Sequence, residues 1–161
     1  MSDGRKPSVA FALGLGLVMT ACSMSSTPPA EPSPEFAPRE VVDIVLTALR
    51  SNNEPAPDTG IATAFAFASP GNRESTGPLP RFIQMIEAGY APLIDHRSAE
   101  IGPPVERGDR LVFPVRIYPQ EGPVRLYLFV LAEQADPTCT GCWMTDGVVE
   151  HTELVTPELS I

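Results

Sequence analysis

Apolar residues recur at helical spacing from Pro38 onward. Val42, Val45, Leu46 and Leu49 share one face, while Arg39, Glu40, Asp43 and Arg50 fall elsewhere. This predicts a first helix starting at Pro38, where a missing N–H costs nothing. Asn52-Asn53, Pro55 and Pro57 stop it. Asp58 reads as the N-cap of a second helix, with Ile61, Ala64, Phe65 and Ala68 as its buried stripe. The many alanines predict close packing on a neighbouring element. Ser69-Pro70-Gly71 ends this helix and opens a loop, Ser69 to Pro78. A third helix is expected from about Leu79 to Ala88, with Phe82, Ile83 and Ile86 inward and Gly89 as its stop.

Beyond Leu93 the period changes to two. Leu93 to Ile101 reads as a weak strand. Arg110 to Tyr118 alternates, with Leu111, Phe113, Val115 and Ile117 on one face. Pro114 cannot donate to a ladder, which predicts an edge strand or a bulge there. A turn at Gln120-Glu121-Gly122 returns the chain as Val124 to Glu133. There Leu126, Leu128 and Val130 oppose Tyr127, Phe129 and Leu131, so both faces should be at least partly covered. A last strand runs from Trp143 to about Leu154, with Asp146-Gly147 as a bulge or turn. Three helices followed by about four antiparallel strands predict an α+β domain, its helices packed on one face of a curved sheet.

The amino terminus has a different character. Arg5 and Lys6 precede an uncharged apolar run, Val9 to Met19, that is too short to span a bilayer and reads as a signal peptide. Met19-Thr20-Ala21-Cys22 resembles the bacterial lipobox, in which a cysteine after a small residue receives a diacylglycerol; Met19 stands where leucine is preferred. Residues 23–38 are rich in serine and proline and have little to bury, as expected of a spacer. The expected organisation is a signal peptide over 1–21, a lipidated Cys22 and tether over 22–37, a folded domain over 38–155 and a tail over 156–161. That places the protein in a bacterial cell envelope, lipid-anchored on the exported face of a membrane.

Composition narrows the partners. The chain has 161 residues, 43% of them apolar, and a formal charge of −9. Removing Asp3, Arg5 and Lys6 with the signal peptide leaves about −10. Such a domain repels phosphate backbones, which argues against a nucleic-acid partner. It also gains nothing from anionic headgroups, so membrane attachment must be covalent, through acyl chains worth about 0.8 kcal/mol per buried methylene.

Candidate chemistry is sparse. The loop gathers Ser69, Asn72, Arg73, Glu74, Ser75 and Thr76, with Arg81 one turn into the next helix. A carboxylate or other anion could be held there by helix-terminal N–H groups and an arginine fork. The plainer reading, favoured here, is that these side chains cap helix ends. Cys139 and Cys142 are the only cysteines besides Cys22; in an oxidising exterior they are expected to form a disulfide that stiffens a turn. Thiol redox chemistry would need a helix N-terminus behind them, and a strand is predicted instead. Zinc would need His96 and His151 as well and is weaker still. Asp95 and His96 are adjacent on a predicted strand, facing opposite ways. No metal or phosphate-binding motif appears, so no metal or cofactor is expected.

Phe65-Ala-Phe-Ala-Ser-Pro-Gly-Asn-Arg73, Thr76-Gly-Pro78, Arg81-Phe82 and Tyr90-Ala-Pro-Leu93 together resemble an uncharacterised bacterial and plastid family; Trp143-Met-Thr-Asp-Gly-Val148 resembles its closing strand. The resemblance covers roughly residues 38–150. It implies a fold similar to the nuclear transport factor two-like, or SnoaL-like, cone, which often encloses a pocket and hosts enzymes, binding proteins and scaffolds alike. The function expected is a noncatalytic exported domain binding a small molecule or an envelope protein. The alternatives are a cone enzyme using Asp95 or His96 as general base, and a thiol-disulfide role for Cys139 and Cys142.

Overall fold

A computed structural model of the chain describes Met1 and residues 30–151. The expected signal peptide, Cys22 and everything after His151 lie outside the described residues. Helices α1 (Pro38–Arg50), α2 (Thr59–Ala66), α3 (Pro70–Thr76) and α4 (Leu79–Gly89) precede a short 3-10 turn, Ala91–Leu93. Strands β1 (Ser98–Ile101), β2 (Val105–Arg107), β3 (Arg110–Tyr118), β4 (Arg125–Glu133) and β5 (Trp143–His151) follow. The fold is α+β with one open antiparallel sheet, compatible with a cone. Among the described residues no helix is long and apolar enough to cross a membrane.

The helix-period reading of α1 holds. Val41, Val42, Val45, Leu46 and Leu49 are all buried, and Glu40 accepts a 2.7 Å hydrogen bond from the Ala37 N–H to secure the first turn. The start of α2 is built differently from the expectation. Asp58 has a left-handed backbone (φ 61°) and makes no side-chain cap. Asn52 caps instead: its Oδ1 accepts the Ile61 N–H at 2.9 Å and its carbonyl accepts the Gly60 N–H at 3.0 Å. Gly60 is required there, because a Cβ would sit 2.1 Å from the Ala48 carbonyl oxygen of α1.

The segment expected as a loop, Ser69 to Pro78, is largely α3. Ser69 Oγ accepts the Asn72 N–H and Pro70 occupies the first turn. Gly77 (φ 84°) ends the helix in a backbone region that disfavours other residues. The strand expected from Leu93 begins only at Ser98, and Asp95 and His96 lie before it. Gly89 is the last residue of α4, not a left-handed stop after it.

β3 is central, not an edge. β4 lies on one side of it, and β1 and β2 share the other in turn. Pro114 falls at the break between them: its carbonyl accepts the Gly102 N–H at 2.8 Å, and its missing N–H faces the gap, where no ladder bond is lost. The irregularity expected at Asp146-Gly147 is a bulge. Val130 pairs with Gly147 and Leu131 with Thr145, leaving Asp146 extra.

One face of the sheet packs on the helices. Phe113, Val115, Ile117, Tyr127, Phe129 and Leu131 are buried with α1, α2 and α4; each such side chain contributes about 1.5–3 kcal/mol. On the other face Leu126, Leu128 and Val130 are half-buried and Val149 is exposed, so the two-sided cover expected for β4 is partial. Packing also reaches into the segment expected as tether. Phe36 lies against the core with its ring 6.3 Å from that of Phe67, because an aromatic side chain gains more from burial than from solvent.

Candidate functional site

Between the helices and the sheet lies a cavity of about 220 Å3. Val45 and Leu49 of α1, Ala64 of α2, Phe82 and Ile86 of α4, and Phe129 of β4 form its apolar walls. All six are buried. The half-exposed lining residues are Asn72 and Thr76 of α3, Met85 and Tyr90 at α4, and Gly147 and Val148 of β5, so the mouth opens between α3, α4 and the β5 edge. Small residues leave the room: Ala64 and Ala68 line it where larger side chains would fill it.

Polar groups gather on one side. The Asn72 side chain donates from Nδ2 to the Thr145 carbonyl at 3.0 Å. The Thr76 hydroxyl donates to the Asn72 carbonyl at 2.9 Å, and the Tyr90 hydroxyl donates to the Val148 carbonyl at 2.9 Å, tying α4 to β5. Thr145 is anchored through its backbone, with its N–H on the Phe67 carbonyl and its carbonyl accepting the Ser69 N–H. Its hydroxyl is buried and has no hydrogen-bond partner among the described residues. No charged side chain among the described residues lines this cavity.

A shallower groove of about 470 Å3 lies on the far side of α3 and shares Asn72 and Gly147 with the cavity. Arg110 and Asp146 form an ion pair there at 2.9 Å. Both are solvent-accessible, so the pair contributes at most about 1 kcal/mol.

The residues singled out from sequence divide. Asn72 and Thr76 reach the cavity, and Ser69 lines the groove. Ser69, Asn72 and Thr76 also cap or brace α3, as the plainer reading expects. Arg73 lies over the Phe65 ring, 6.0 Å from its centre, and Arg81 is exposed on α4 and packs against Gly77. The Cys139 and Cys142 sulfurs are at disulfide distance, with their Cα atoms 5.5 Å apart; β5 follows them at Trp143, with no helix N-terminus behind the pair.

Asp95 and His96 stand apart from the cavity. Asp95 Oδ1 accepts the Asn52 N–H. His96 is buried, with Nδ1 2.9 Å from the Leu93 carbonyl, and burial holds its pKa below the usual histidine value. Neither lines the cavity, and among the described residues no three metal-ligating side chains converge. The features sequence reasoning missed are Thr145, Tyr90 and the apolar walls. Tyr90 lay within the Tyr90-Ala-Pro-Leu93 phrase and Thr145 within the Trp143-Met-Thr-Asp-Gly-Val148 phrase, but neither phrase marked them as lining residues.

The fold and site together define an α+β domain with a partly open apolar cavity edged by neutral hydrogen-bonding groups. The chain belongs to the family described as Domain of unknown function (DUF4864), whose model matches residues 35–154. No curated protein and no solved structure matches the chain.

Proposed function

We propose that this protein is a noncatalytic binding domain that takes a small molecule into the cavity between its helices and sheet, and that Cys22 tethers it by lipid to the exported face of a bacterial membrane. The observation that carries the binding reading is the cavity itself: about 220 Å3, apolar on most sides, with its polar groups convergent on one. Apolar walls with a few polar groups are the usual lining of a small-molecule site, and a volume below the roughly 300 Å3 common for such sites restricts this one to a small guest. The sequence carries the anchoring reading, with its short apolar run, lipobox-like Met19-Thr20-Ala21-Cys22 and proline-rich spacer.

The cavity reading is tested by filling the space. Ala64→Leu adds three carbons to a wall, and Val148→Phe crowds the mouth. Both should leave the thermal melt within about 3 °C of the parent and abolish uptake of small apolar probes measured by calorimetry. Unchanged uptake in both variants would place the ligand elsewhere. Anchoring is tested by Cys22→Ser, which should move the protein from carbonate-washed membranes to the soluble fraction without altering its melt. Persistent membrane association would rule out the lipid.

A further inference from the structure

We propose that the Cys139–Cys142 disulfide is a redox-operated clasp on the membrane tether. Closed, it pins the stretch from Pro32 to Glu35 against the domain; opened by a dithiol, it releases that stretch. This rests on the anchoring role proposed for Cys22 and adds a means of regulating it.

The stretch before α1 lies against the disulfide loop. Pro32 and Ser33 are half-buried. The Pro32 carbonyl oxygen is 3.7 Å from Cys139 Sγ. Pro34 Cβ is 3.5 Å from the position a Gly141 Cβ would take, so Pro34 rests on the Thr140-Gly141 turn inside the disulfide ring. Ser33 folds the stretch locally: its Oγ accepts the Glu35 N–H at 3.3 Å and its carbonyl accepts the Phe36 N–H at 3.2 Å. Phe36 then enters the core beside Phe67. The stretch is thus fixed at one end by Phe36 and at the other by the disulfide loop.

The two sulfurs are unequal. Cys142 is fully buried and Cys139 is half-exposed, so an incoming thiolate reaches Cys139. The thiolate of a dithiol bonds to Cys139 Sγ, the Cys139–Cys142 bond breaks, and Cys142 leaves as a thiolate that takes a proton. The second thiol of the reductant then displaces Cys139, which takes the other proton, and the reductant departs as a disulfide. Two electrons and two protons pass to the pair. The sulfurs move from a bond of about 2.0 Å to van der Waals contact. Buried Cys142 has little room, so Cys139 takes up the displacement at the Pro32 contact. The four-residue ring that fixes Gly141 (φ 82°) beneath Pro34 opens as well. So small a ring contributes little to the whole fold, and the effect stays local.

The consequence is a change of reach. Clasped, the tether runs ten residues from Cys22 to Pro32, at most ~36 Å of extended chain. Released, it runs fourteen residues to Phe36, at most ~50 Å. Reduction lets the domain stand up to ~14 Å farther from the membrane.

A glutamate-specific protease reads the clasp. Glu31 precedes proline and is not cut, so Glu35 is the first cleavable site in the chain. The full chain carrying Cys22→Ser, which removes the third thiol, is digested before and after treatment with dithiothreitol. Reduction should speed cleavage after Glu35 at least tenfold, while cleavage after Glu87 within α4 stays unchanged. Adding Cys139→Ser and Cys142→Ser should give the fast rate without reductant. By reciprocity, Pro32→Gly with Pro34→Gly should speed reduction of the disulfide by dithiothreitol at least threefold. Equal cleavage after Glu35 in both redox states overturns the clasp. Acceleration after Glu87 in step with Glu35 also overturns it, because the whole domain would then be opening. An unchanged rate of reduction in the proline variant overturns the contact between stretch and disulfide. None of these assays needs a membrane, so the clasp and the lipid anchor fail separately.

Discussion

The Thr145 hydroxyl makes a stability prediction that needs no ligand. The side chain is 6% exposed and its oxygen has no hydrogen-bond partner among the described residues. A buried polar group left unsatisfied costs about 1–3 kcal/mol. Valine has nearly the same shape and lacks that group. Its extra methyl bulk takes back part of the gain, so Thr145→Val should stabilise the empty protein by about 1 kcal/mol. For a folded region of this size that raises the melting temperature by about 4 °C. Thr145→Ser keeps the hydroxyl and removes a buried methyl, which should cost about 1 kcal/mol. The two variants should thus move in opposite directions in urea titrations followed by far-UV circular dichroism, with an unchanged slope. A Thr145→Val variant less stable than the parent would show that the hydroxyl is already satisfied in the free protein.

Other groups give independent checks. Asn52→Ala leaves the buried Ile61 N–H without its acceptor and should cost about 2 kcal/mol in urea titration; a loss under about 0.5 kcal/mol would mean Asn52 is not the cap of α2. Burial pushes the Tyr127 phenol up to about 12. The unfolded chain then loses its proton first, so the contribution of Tyr127 to stability is complete below pH 10 and declines as pH rises toward 12; Tyr127→Phe should remove that component from melts recorded across this window. Burial lowers the His96 pKa, so protonation favours the unfolded chain. Its contribution is complete above about pH 6.5 and falls as the solution is acidified. Imidazole resonances that titrate at or above the ordinary value would contradict that burial.

How far the fold was legible in the chain depends on where the periodicity was dense. The buried stripe of α1 and the alternation of β3 and β4 were readable because burial on one face imposes periods that the apolar residues follow directly. α3 was not, because a seven-residue helix with no buried position carries no stripe. Its ends were written in the sequence all the same: Ser69 and Pro70 are a cap and a first-turn proline, and Gly77 is a stop. Asp58 misled because an acidic residue before a helix usually caps it, whereas here the Asn52 amide reaches the same N–H from the preceding turn. For the site, Asn72 and Thr76 were found through the polar phrase around them. The cavity was not, since its walls come from α1, α2, α4 and β4, which no local pattern brings together.

The position of Thr145 shows why. Strict alternation along β5 would turn Thr145 and Gly147 to one face and Val148 to the other. The extra residue, Asp146, shifts the phase: Thr145 pairs with inward-facing Leu131 and Val148 with inward-facing Phe129. Both lining residues thereby face the helices, while Asp146 is drawn to Arg110 on the outer groove. A second departure from regularity secures the first. The chain leaving α2 runs parallel to β5 for one bridge, Ala68 against Thr145, and its backbone hydrogen bonds fix Thr145 from the open side of the sheet. The bulge and the bridge together, more than the layering of helices on a sheet, decide which side chains meet at the mouth. A protein with the same layers and a regular last strand would lose that arrangement.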